Sequence, residues 1–139
     1  MTVKTALAKS AVGQTDTLKN IAKENNAIIA MNGNYFAAYD ESEIKDPYSI
    51  LVVDGEAVHN SNNRVTIGFK NNAVDIDYVD TEIKGSNGEP RWKYSWNGCW
   101  LNHTVIKNGV SLTVYDENRG EETYSEVGRN YIVKEVIIT

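Results

Sequence analysis

Three short turn sequences, each set between alternating apolar residues, constrain this chain more than any other feature. Asp54-Gly55 separates residues 49–53 from 56–59, Asn108-Gly109 separates 105–107 from 110–114, and Lys70-Asn71-Asn72 separates 65–69 from 74–79. An Asx-Gly pair supplies the positive φ that a two-residue hairpin turn needs, and alternation on either side gives each strand one apolar face. Each set predicts an antiparallel hairpin.

Helical periodicity with end signals occurs near the N-terminus. Thr15 or Asp16 caps it, Leu18, Ile21 and Ala22 share a face, Lys19, Lys23 and Glu24 look outward, and Asn25-Asn26 supplies the stop. Residues 3–7 alternate as a first strand that ends at the Gly13 turn. The apolar run 27–31 has the length and composition of a strand buried on both faces. Residues 85–90 form a flexible break before Trp92, Tyr94, Trp96 and Trp100, and residues 131–139 read as an apolar last strand that pairs within the chain or with another copy. The expected fold class is α+β: mostly antiparallel sheet built from hairpins, with one main helix near the N-terminus, in a single domain over 1–139.

Composition narrows the function. Fourteen Lys and Arg against nineteen Asp and Glu, interspersed, give a net charge of -5, so a nucleic-acid polymer, which needs clustered cations, is not the expected partner. The one cysteine, Cys99, excludes an internal disulfide and a thiolate metal cluster. No apolar run approaches membrane-spanning length and no basic-then-apolar leader follows Met1, so a soluble, cytoplasmic protein with no membrane partner is expected. Neither His59 nor His103 has metal-ligand spacing, and no phosphate loop or Gly-x-Ser-x-Gly elbow is present; no metal and no cofactor are expected.

Two stretches carry candidate chemistry. Asn32, Gly33, Asn34, Tyr35 and Phe36 set two amides and two aromatics around a glycine at the end of the apolar run, either a plain turn or a place where backbone approaches a ligand. Trp96, Trp100, Asn102 and His103 put flat apolar faces beside an amide and an imidazole, which suits a sugar or nucleobase as well as an aromatic minicore. Arg119, before Gly120 in a loop, reads as an anion contact or an ordinary surface arginine. Asp40, Glu41, Glu43 and Asp46 read as a solvated acidic loop.

The run Ala27-Ile28-Ile29-Ala30-Met31-Asn32-Gly33-Asn34-Tyr35-Phe36, after the helix 16–26, resembles the opening of the phosphodiester glycosidase domain, a family related to the enzyme that uncovers mannose-6-phosphate. The resemblance continues through the Asp54-Gly55 hairpin with Val58-His59, Ile67-Gly68-Phe69, and Leu101-Asn102-His103. It extends over nearly the whole chain but corresponds only to the N-terminal part of that family. The later Asp-Gly-Gly-Gly-Ser run has no counterpart, because this chain contains no Gly-Gly dipeptide.

Two readings follow from the resemblance. In one, the chain is a binding protein that sequesters a phosphodiester-containing sugar or nucleotide without turnover, in the manner of a phage sponge that counters a nucleotide immune signal. Its ligand residues are Asn32, Asn34, Tyr35, Phe36, Trp96, Trp100, Asn102, His103 and Arg119. In the other, it is a minimal phosphodiester glycosidase completed by a second copy or partner chain, with His103 as the general acid or base and Asp40 and Asp46 behind it. A homo-oligomer is expected in both.

Overall fold

The computed structural model describes residues 2–39, 41, 43–61, 65–71, 73–86, 95–98, 100–103 and 113–120, and structural statements below concern these. Helix α1, Leu18–Glu24, is capped not by Thr15 or Asp16 but by Thr17, two residues after the first and one after the second: the side chain of Thr17 accepts from the Asn20 amide. Asp16 instead accepts from Thr17 N and Asn20 Nδ2, just ahead of the helix. The stop falls at Asn25-Asn26, where Asn26 takes φ 50°. Thr17→Ala is expected to cost about 1 kcal/mol, by loss of the bond to an otherwise orphan amide, read as a lowered urea midpoint.

The predicted hairpins about Asp54-Gly55 and about residues 70–72 are present, the first with a shorter opening strand than the expected 49–53, because Ser49 takes φ 68° and pairing begins at Leu51. Strands β1, Leu51–Val53, and β2, Glu56–His59, pair antiparallel about Asp54-Gly55, where both residues have positive φ. Strands β3, Val65–Lys70, and β4, Ala73–Tyr78, pair from Val65 opposite Tyr78 to Lys70 opposite Ala73. A further hairpin joins β5, Ile83–Ser86, to β6, Ser95–Gly98. Part of the expected 85–90 break therefore lies in a strand. Gly85 faces Trp96 across this pair, and a Cβ there would overlap the indole, so glycine in the strand makes room for the ring.

Strands β7, Trp100–Leu101, and β8, Thr113–Val114, pair parallel. The expected hairpin about Asn108-Gly109 lies mostly outside the described residues, and its described part, Thr113–Val114, pairs with β7. A bridge from Asn60 to Leu101 joins the end of β2 to β7. The short strands thus lie side by side in the order β2, β7, β8, bringing residues 58–60, 100–103 and 113–116 together. The expected strand at residues 131–139 lies outside the described residues.

Two expected strands are not formed. Residues 3–7 have no strand partner and are mostly exposed. Residues 27–31 are likewise irregular, with Ile28, Ile29 and Met31 at 98%, 78% and 80% exposure. Apolar composition made this run read as a buried strand; a central strand requires neighbours on both edges, and none of the described strands pairs with it.

The fold is α+β, with one α-helix among the described residues and its sheet in two-stranded pieces. The most deeply buried apolar side chains are Ala8, Val12 and Val58, whereas Asp46, Ser49, His59, Asn60, Ser61, Asn102 and Arg119 are also buried. The centre is polar. No described helix is long and apolar enough to cross a membrane.

Candidate functional site

Asn102 organises the polar centre. It follows β7 with φ 51°, a left-handed conformation that Asn tolerates better than most residues. Its backbone amide donates to Val114 O at 2.9 Å; its side-chain nitrogen donates to Val58 O at 2.9 Å and to Asp116 Oδ1 at 2.6 Å. Its side-chain oxygen accepts from the Asp116 amide at 3.0 Å. One fully buried amide therefore ties together β2, β7 and the segment after β8.

Asp116 next caps the 3-10 turn Glu117–Arg119, accepting from Asn118 N at 2.9 Å. The turn aims Arg119 inward, where it donates to Asp46 Oδ1 at 2.5 Å and to Asn102 O at 2.7 Å. The Arg119 side chain is 1% exposed and the Asp46 side chain 9%. Two expectations are thereby corrected. Arg119 is not at the surface, because Asp46 and a carbonyl engage it inside. The acidic loop is not solvated throughout: Glu41 and Glu43 are exposed, but Asp46 is drawn in by the guanidinium. Asp40 lies outside the described residues.

The N-terminal segment closes over this pair. Val12 N donates to Asn118 O and Lys45 N donates to Gly13 O. Gly13 has φ 85°, and a Cβ there would come within 2.6 Å of Ile44 Cγ2, so the close approach requires glycine. A concavity of about 280 Å³ beside Arg119 is lined by Val12, Ile44 and Gly120 among others; His103 and Trp100 do not line it.

Asp46 also faces His103, with Oδ2 3.6 Å from Nδ1. Behind His103 lies His59, whose Nε2 is 3.4 Å from the same Nδ1, the two rings meeting edge to face at 5.4 Å. His59 Nδ1 is 2.9 Å from Ser49 O. A carbonyl only accepts, so His59 carries its proton on Nδ1 and, when neutral, has a bare Nε2. The proton of His103 then belongs on Nδ1, between two acceptors, and the lone pair of the neutral ring is on Nε2. Burial holds His59 neutral, its pKa lowered from 6.5 to about 4, against the opposing effect of the Ser49 carbonyl. Burial lowers His103 as well, opposed by the Asp46 charge.

His103 is the partly open member, its side chain 14% exposed. The Trp100 ring stands beside it at 5.3 Å, and Tyr115 Oη donates to its carbonyl at 3.0 Å, fixing the backbone. Among the described residues no group of three or more His, Cys, Asp or Glu is placed to hold a metal ion.

The residues singled out in sequence separate into three sets. Trp100, Asn102, His103 and Arg119 come together, but Asn102 and Arg119 spend their polar groups inside the protein. Residues 32–36 approach through the backbone: Tyr48 N donates to Tyr35 O at 2.9 Å and Ala37 N donates to Asp46 O at 3.1 Å, so this segment runs antiparallel to the one bearing Asp46. Asn32, Tyr35 and Phe36 are exposed and Asn34 half-buried. Trp96 belongs elsewhere, against Gly85 in the β5–β6 hairpin. His59, Ser49 and Asp116 were not among the candidates. His59 is 44 residues from His103, and the Asn60–Leu101 bridge and the Asn102–Val58 hydrogen bond bring them together.

No family model, curated protein or solved structure matches the chain.

Proposed function

We propose that the chain captures a small phosphodiester-containing sugar or nucleotide at the face carrying Trp100 and His103. The observation that carries this reading is the pairing of an indole with a partly open imidazole, 5.3 Å apart, at the rim of an otherwise buried polar cluster. The indole offers a flat apolar surface to a sugar or base, and the imidazole a polar group to the phosphodiester oxygens. Residues 32–36, running beside the Asp46 segment, bring the half-buried Asn34 and the exposed Tyr35 to the same region as further contacts. The phosphodiester class itself rests on the sequence resemblance. Capture takes place in the cytoplasm in this reading, as a phage-type sponge for a nucleotide signal requires.

A second reading, turnover, is favoured by one specific observation: His103 directs Nδ1 toward Asp46 and keeps its lone pair on Nε2. That is the arrangement of a general base. In a phosphodiester glycosidase the base takes a proton from water as the oxygen attacks the anomeric carbon, and the sugar–oxygen bond breaks toward phosphate. Phosphate departs as an anion without needing a strong acid, so one neutral histidine suffices, and the proton passes from it to solvent.

One experiment tests both. The full chain is mixed with cyclic nucleotides, nucleotide sugars and sugar phosphodiesters, filtered, then denatured, and both fractions are weighed by mass spectrometry. A compound depleted from the filtrate and released intact is expected, with capture weakened roughly tenfold or more in Trp100→Ala. A new product mass that disappears in His103→Gln would establish turnover instead. Depletion of nothing in the panel would end the binding reading.

A further inference from the structure

The β3–β4 hairpin is amphipathic in an unusual direction. Residues directly opposite in an antiparallel pair share a face, so the register Val65–Tyr78, Ile67–Ile76 and Phe69–Val74 places six apolar side chains on one side. The other side carries Thr66–Asp77, Gly68–Asp75 and Lys70–Ala73. The apolar side faces solvent: its six residues are 52% to 73% exposed, and on the polar side Thr66 is half-buried and the others are exposed. A two-stranded ribbon in this condition is marginal in water without a partner.

We infer that this face is a self-association surface and that its occupant is the same face of a second copy of the chain. The arrangement of bulk selects that partner. Tyr78 and Phe69 occupy diagonal corners, Val65 and Val74 the other two, and the isoleucines the middle. Rotation by a two-fold axis lying between two such faces, along or across the strands, sets each aromatic of one copy over a valine of the other, large against small at every corner. The area suffices as well: at these exposures each copy offers on the order of 600 Å², so two reach the roughly 1,200 Å² at which stable interfaces begin. The surface is independent of the Trp100–His103 face and of what binds there.

The test is the mass of the full chain in solution by light scattering and sedimentation, at about 100 µM and in dilution. A dimer is expected. Ile76→Lys, a change the isolated hairpin accommodates because Ile76 is 63% exposed, is expected to weaken dimerisation at least about a hundredfold by burying an unpaired ammonium. Ala73→Glu, on the opposite face and across from Lys70, is expected to leave the dimer intact. Circular dichroism of both variants keeps loss of folding distinct from loss of association. A monomeric wild type, as would arise if residues 121–139 of the same chain covered the face, overturns the inference. So does a dimer that survives Ile76→Lys.

Discussion

Arg119→Met is expected to remove about 3–5 kcal/mol of stability, a large part of what a domain of this size possesses. The substitution keeps the bulk of the side chain's stem but leaves the Asp46 carboxylate buried without its cation and Asn102 O without its donor. The cost arises from the stranded charge rather than from the strength of the pair, since an ion pair taken out of water gains little over apolar residues of similar shape. Asp46→Leu combined with Arg119→Met is therefore expected to recover much of the loss. Urea unfolding of the wild type and both variants gives the comparison. A single-variant cost below about 1 kcal/mol would mean that the pair behaves like a surface salt bridge.

Acidification is expected to destabilise the protein well before its carboxylates are fully protonated. His59 titrates at about 4 in the folded chain and near 6.5 when unfolded, so between these values the unfolded state binds more protons. The stability tied to the neutral imidazole is complete above pH 6.5 and is lost as pH falls toward 4, about 2 kcal/mol of it by pH 5 and about 3 kcal/mol in all. His103, lowered in the same direction, adds to the loss. Urea unfolding from pH 7.5 to 4.5 follows the effect, and His59→Gln, whose amide can still donate to Ser49 O, is expected to flatten it. An unchanged slope in that variant would place the proton uptake elsewhere.

What the sequence disclosed depended on how local each signal was. The Asp54-Gly55 turn, the Asn25-Asn26 stop and the alternation from Val65 to Tyr78 are written in adjacent residues, and the corresponding elements are present. The β5–β6 hairpin was hidden because its strand Ile-Lys-Gly-Ser lacks apolar alternation; its signal was a glycine that could accommodate a tryptophan from another strand. Residues 27–31 misled because apolar composition says that a segment needs cover, not that cover is nearby. At the site, Trp100, Asn102 and His103 were legible because they are close in sequence. The part played by Arg119 was not, because an arginine's role is decided by a carboxylate 73 residues away. His59 reaches His103 through contacts between two strands far apart in the sequence, for which spacing offers no rule.

The chain that sets the proton on His103 begins at the carbonyl oxygen of Ser49. Every residue type brings that oxygen, so no exchange of side chain at position 49 deletes it. What the position must preserve is the backbone angle of φ 68° that places the peptide there. The tautomer is thus inherited through the course of the main chain, and drift at position 49 is open toward glycine and asparagine, which adopt that angle readily, and closed toward branched residues that do not.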